Sequence, residues 1–186
     1  MNKTSRIYLT GFMTSGKSTI GPILANVLGW EFCDLDKEIE TAHNKTVVQI
    51  FEHFGEDYFR KTEAEYLTAY SLKNNIIISL GGGTIVNDKN LEVIKNTGLL
   101  VYLKVSRETL QRRLKNKTDR PLFRDLVLAE RPDEEFANRI DNLLNSRAAY
   151  YEQADITIES DKNRIGVTID ILANKIMEIL ENEKLG

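Results

Sequence analysis

Two aspartates stand two residues apart in the run Phe32-Cys33-Asp34-Leu35-Asp36-Lys37, just past a short apolar stretch. Carboxylates at that spacing can hold a metal, act as an acid/base pair, or only form a polar turn with a helix cap. The choice depends on a second run upstream, Gly11-Phe12-Met13-Thr14-Ser15-Gly16-Lys17-Ser18-Thr19, which fits the pattern G-x-x-x-x-G-K-[ST]. Its glycines let the backbone curl so that successive N–H groups aim at phosphate oxygens, at the positive end of a helix dipole. Lys17 can then reach the β- and γ-phosphates, and the Ser18 hydroxyl can ligate Mg²⁺. A chance glycine turn before a helix would lack the Lys-Ser pair and the strand–helix setting. Nucleotide binding follows, but the acceptor of the phosphate does not.

The elements that position these residues are legible in the hydrophobic pattern. Arg6 to Thr10 is a short β-branched and apolar run, read as a buried strand. Ile20, Ile23, Leu24, Val27 and Leu28 recur at helical spacing until Gly29 stops them. Further strands are expected at Trp30–Asp34, Ile76–Leu80, Leu99–Val105 and Asp155–Glu159. Helices are expected at Val47–Phe54 (capped by Thr46 and ended by Gly55), Glu56–Leu72, Asn90–Asn96, Glu108–Leu114 and Glu134–Ala154, and from beyond the last strand to near Leu180. Alternating strands and helices imply a parallel sheet covered on both faces. Residues 115–133 are polar, weakly periodic and carry two prolines, which suggests a mobile lid within a single domain spanning 1–186.

Bulk composition narrows the function classes. The chain has 186 residues, 41% hydrophobic and 28% charged, with a net charge of −3. No global basic field draws it to nucleic acid or to an anionic membrane, and no basic stripe is interleaved with aromatics. No apolar run approaches a membrane span, and the first residues lack a secretory h-region, so a cytoplasmic enzyme is expected. The single cysteine, Cys33, excludes an internal disulfide, and beside Phe32 it reads as a buried structural thiol. His43 and His53 have no metal-ligand companions at useful spacing.

In order, GFMTSGKSTIG, FCDLDKEIE, FRKTEAE, SLGGGTI, DRPLF and NSRAAYYEQAD are together similar to the motifs of the shikimate kinase family. That family is one of the P-loop small-molecule and nucleoside monophosphate kinases. The likeness spans about Ile7 to Ile158 and departs at Thr14, where the family commonly has glycine. It implies a three-layer α/β/α P-loop kinase fold with a central five-stranded parallel sheet. The implied activity is phosphorylation of the shikimate 3-hydroxyl by ATP, in the route to chorismate and the aromatic amino acids. The implied partners are ATP/ADP and shikimate, with one Mg²⁺ and a monomeric chain.

The resemblance also distributes roles. Gly11, Thr14, Ser15, Gly16, Lys17, Ser18 and Thr19 would bind ATP, with Arg120 at the phosphates and Arg113 and Arg164 on the adenine side. Arg60 and Arg147 would grip the shikimate carboxylate, since a guanidinium can bind it bidentately. Glu63, three residues after Arg60 on one helix, would orient it. Gly81, Gly82 and Gly83 would let substrate approach the backbone at a strand's carboxyl end. Asp34 would join the Mg²⁺ shell beside Ser18, through water, and Asp36 would receive the acceptor hydroxyl, with Lys17 and Arg120 completing the catalytic set. If strand geometry persists beyond Asp34, the two aspartates project to one side. Asp36 could also cap a helix. The alternative is a surface ion pair for Arg60 and Arg147, a solvated lid charge for Arg120 and a surface charge for Arg113 and Arg164, and Arg124 and Arg131 are expected to be solvated charges of the lid.

Overall fold

The computed structural model describes residues 5–115, 117–118 and 121–185. Strand β1 (Arg6–Thr10) leads through the phosphate loop into α1 (Lys17–Leu28), followed by β2 (Glu31–Asp34), α2 (Leu35–His43), α3 (Val47–Phe54) and α4 (Glu56–Tyr70). The chain continues through β3 (Ile76–Ser79), α5 (Asp88–Thr97), β4 (Leu99–Lys104), α6 (Arg107–Leu114), α7 (Pro121–Leu128), α8 (Asp133–Tyr151), β5 (Ile156–Glu159) and α9 (Ile165–Leu185). The strands form one parallel sheet in the order β2-β3-β1-β4-β5.

Side-chain alternation along the central strands builds the three layers. Ile7, Leu9, Ile77, Val101 and Leu103 face α1 and α9, against Ile20, Leu24, Leu172 and Ile176. Tyr8, Ile76, Ile78 and Leu100 face the other way, against Leu67 of α4, Leu91 and Ile94 of α5, and Tyr151 of α8. Because both faces are covered, β1 and β3 read as unbroken buried runs. Truncating a residue such as Leu24 or Ile77, each with 0% exposure, to alanine would cost about 2–5 kcal/mol. Gly21 matters on the first face: a Cβ there would collide with the Phe32 ring, so its absence lets α1 approach β2.

Two smaller apolar clusters flank the carboxyl ends of the strands. Ile39, Ile50 and Phe59 join α2, α3 and α4. Phe12 of the phosphate loop joins Leu110, Leu114, Phe123, Leu126, Phe136 and Ile140 of α6, α7 and α8. No helix among the described residues is long and apolar enough to cross a membrane.

The structure corrects the local reading in two places. Extended geometry does not persist past Asp34: β2 stops there and α2 begins at once, with Leu35 and Ile39 buried one turn apart. Asp34 itself is the N-cap, accepting the Lys37 N–H, so the capping residue is Asp34 and not Asp36. The segment 115–133 is also less irregular than its composition suggests, since α7 lies within it and buries Phe123 and Leu126.

Candidate active site

Parallel pairing aligns the strand ends that carry the site. Asp34 is in register with Ser79, and Ser79 with Leu9, so β1, β2 and β3 finish at one level. That register lets Ser79 Oγ donate to Asp34 Oδ2 at 3.1 Å. Above these ends lies a cleft of about 470 Å³, lined by loop residues Met13 to Ser18, by Asp34 and Asp36, by Arg60 and Glu63, by Gly81 to Gly83, and by Arg147.

The phosphate loop curls through residues with positive φ. Gly16, at φ 104°, precedes the first residue of α1, and Thr14 takes φ 64°. That left-handed value is open to glycine and rare for a β-branched residue. Lys17 Nζ folds over the loop and donates to Gly11 O at 2.8 Å and Phe12 O at 3.3 Å. Phe12 is buried and packs edge-on against Phe123 of α7, with ring centroids 6.2 Å apart.

On the opposite wall, Arg60 is held by two carboxylates. Its Nη1 donates to Glu63 Oε2 at 3.0 Å and its Nη2 to Glu56 Oε1 at 3.0 Å. Its guanidinium also lies over the rings of Phe51 and Phe59. Burial works against the charged form, but Glu63 and Glu56 outweigh it and hold the Arg60 pKa above its usual value. Glu63 is fully buried and receives a second donor, Thr84 Oγ1, at 2.6 Å. Thr84 is a residue the sequence reading passed over. Its hydroxyl also reaches Gly81 O, and Asn90 Nδ2 holds its carbonyl.

Arg147 is 7% exposed, lies over the Phe12 ring, and keeps Nη1 without a hydrogen-bond partner among the described residues. That buried nitrogen is a charged donor open to a partner in the cleft.

The three glycines are needed for space rather than for unusual φ, since none has a positive value. A Cβ on Gly81 would lie 2.6 Å from Glu63 Oε1 and 2.9 Å from Asp36 Oδ1. On Gly82 it would lie 3.2 Å from Arg147 Nη1, and on Gly83 2.9 Å from Arg60 Nη2. Each glycine therefore makes room for one or more of the charged groups in the cleft.

The remaining expected residues lie elsewhere. Gly11 and Thr19 flank the cleft without lining it. Arg113 is behind the loop, where Nη1 donates to Thr14 O at 2.7 Å. Arg164 is exposed ahead of α9. Arg120 falls outside the described residues. Arg124 pairs with Glu52 and Arg131 with Glu135. His43 bonds Ile39 O and Tyr58, and His53 bonds Gln49 O.

Comparison with known proteins decides the family. The shikimate kinase family model matches residues 13–181. The chain belongs to the shikimate kinase family. A shikimate kinase of Chloroherpeton thalassium is 47% identical over 176 residues, covering 95% of this chain and 94% of the relative. Another, of Chlorobaculum parvum, is 45% identical with the same coverage. Among solved structures, shikimate kinase from Bacteroides thetaiotaomicron superposes with a TM-score of 0.81 at 34% identity, covering 95% of this chain and 98% of that one. Shikimate kinase from Acinetobacter baumannii in complex with shikimate also reaches 0.81, at 33% identity, covering 98% of this chain and 96% of that one. A gluconokinase from Sinorhizobium meliloti, at 15% identity and a TM-score of 0.62, shares the fold.

Proposed function

We propose that this protein transfers the γ-phosphoryl group of ATP to the 3-hydroxyl of shikimate, releasing ADP and shikimate 3-phosphate. The observation that carries the reading is the arrangement of one cleft. A phosphate loop lines one side, two arginines and the triple-glycine turn line the other, and Asp36 lies with them. Membership of the shikimate kinase family supports the same acceptor.

In this reading the loop binds the β- and γ-phosphates, with Lys17 swinging from its loop carbonyls onto them. Arg60 and the buried Arg147 hold the shikimate carboxylate, and Glu63 keeps Arg60 in place. Asp36, in the first turn of α2, takes the proton of the attacking hydroxyl. Catalysis then rests on positioning and on stabilising charge at the transferring group. Arg120, from the DRPLF run, is assigned to that charge by sequence. Residues 115–133 serve as the lid, a role supported by Phe123 seated on Phe12 and by the Arg124–Glu52 pair, which links α7 to α3.

Ser18 and Asp34 fit Mg²⁺. Both supply hard oxygen to the cleft, and Ser79 fixes the orientation of the Asp34 carboxylate. Mg²⁺ keeps several waters and takes phosphate oxygens, so two protein oxygens are enough to hold it beside ATP. When bound, the ion would neutralise phosphate charge.

The test is a coupled ADP-release assay with shikimate, gluconate and nucleoside monophosphates as acceptors. Turnover of shikimate alone is expected. Turnover of gluconate or a nucleotide without shikimate would reassign the acceptor, and ATP binding without turnover of any acceptor would make the chain a nucleotide-binding module.

A further inference from the structure

A loop that presents N–H groups inward must turn carbonyls outward, and buried carbonyls need donors. Here two of those donors come from distant parts of the chain. Ser160 Oγ, just beyond β5, donates to Ser15 O at 2.9 Å. Arg113 Nη1, in the last turn of α6, donates to Thr14 O at 2.7 Å. The peptide between Thr14 and Ser15 is thereby tied at both ends, because its N–H donates to Phe12 O at 3.0 Å.

Thr14 is the residue in that loop with the least conformational support of its own. Its φ of 64° is one that glycine adopts freely and a β-branched residue rarely does. Its buried Oγ1 has no hydrogen-bond partner among the described residues, so none of them offsets the backbone geometry through that side chain. Beyond the Ser15 N–H bond to Phe12 O, the support for this turn comes from outside the loop.

We propose that Arg113 is a positioning residue of the phosphate loop, pinning the Thr14 carbonyl outward so that the loop keeps its phosphate-binding shape although threonine sits at a φ that only glycine adopts without strain. The inference rests on the nucleotide-binding reading of the loop. It differs from a contact with the adenine base, which would leave the loop's affinity for bare phosphates untouched.

The experiment measures Kd by calorimetry for ADP and for inorganic tripolyphosphate, which has no base, in wild type, R113A, R113K, T14G and the T14G/R113A double variant, with Tm recorded for each. R113A is expected to weaken tripolyphosphate roughly tenfold, the loss of one charge-assisted hydrogen bond. R113K should keep most of the affinity, since an ammonium can also donate to a carbonyl. T14G/R113A should bind within about twofold of T14G alone, whereas independent sites would add the full tenfold loss. Normal tripolyphosphate affinity in R113A with weakened ADP would overturn the proposal in favour of base recognition. Full additivity of the two substitutions, or loss of affinity only in variants whose Tm has collapsed, would overturn it as well. If wild type binds neither ligand, the nucleotide reading fails together with the proposal.

Discussion

Thr84 donates its hydroxyl proton to Glu63 Oε1 at 2.6 Å, while Arg60 Nη1 occupies the other carboxylate oxygen at 3.0 Å. The three form a chain from the triple-glycine turn to the cleft wall, and its middle member is an acid buried in the protein. Replacing Thr84 by valine keeps the shape but leaves Oε1 without its donor, at a cost of about 1–3 kcal/mol for a buried polar group. Thr84→Val should therefore raise the shikimate KM severalfold with little change in the ATP KM, and Thr84→Ser should restore it. Steady-state kinetics with each substrate varied in turn checks both.

Asp36 sits in the first turn of α2, and its Oδ1 lies 2.9 Å from where a Gly81 side chain would begin. Asparagine is close in size but is not a base. Asp36→Asn should lower kcat by roughly 10²–10⁴, the usual share of general acid/base groups, with ATP binding nearly unchanged. A kcat equal to wild type would remove Asp36 from catalysis.

These residues differ in how far sequence reveals them. The phosphate loop and the five strands were legible because motif, glycine placement and apolar runs all report on local backbone. The start of α2 was not, since Asp34 ends a strand and caps a helix at once, and the short run FCDLDK fits either geometry. A signal was present in Leu35 and Ile39, four residues apart, with acidic Asp36 and Glu38 in the first turn. Thr84 carries no local signal. Its hydroxyl matters because α4 delivers Glu63 to it across 21 residues of chain, a tertiary fact. The resemblance puts Arg113 on the adenine side, and its bond to the Thr14 carbonyl emerges only from the fold.

The triple glycine makes a graded prediction. At Gly81 a Cβ would meet the buried Glu63 carboxylate at 2.6 Å, and Glu63 is tied on both oxygens. At Gly82 it would approach Arg147 Nη1 at 3.2 Å, the end of a flexible side chain, with Met13 N at an ordinary 4.0 Å. Gly81→Ala should thus destabilise by about 1–3 kcal/mol, as overpacking does, and raise the shikimate KM. Gly82→Ala should leave Tm nearly unchanged and act on shikimate KM alone. Thermal melts and kinetics on the pair test the order, and equal losses of Tm would refute the spatial account.

Cys33 supplies a prediction in pH. Burial, with Glu38 nearby, pushes its thiol from 9.0 up to about 12, and burial likewise raises Tyr102, stacked on Tyr151, to about 12. In both cases the folded chain favours the protonated form. Between pH 9 and 12 the unfolded chain loses protons that the folded chain keeps, so stability present below pH 9 falls as pH rises. Tm should be nearly level from neutral pH to about 9 and decline above it, and Cys33→Ala should make the decline shallower. The same burial keeps the thiolate, the reactive form, scarce. A disulfide reagent at pH 8 should therefore label Cys33 only after denaturant is added. Rapid labelling of the native protein, or a Tm that rises between pH 9 and 11, would show that the thiol is not held protonated beneath α4.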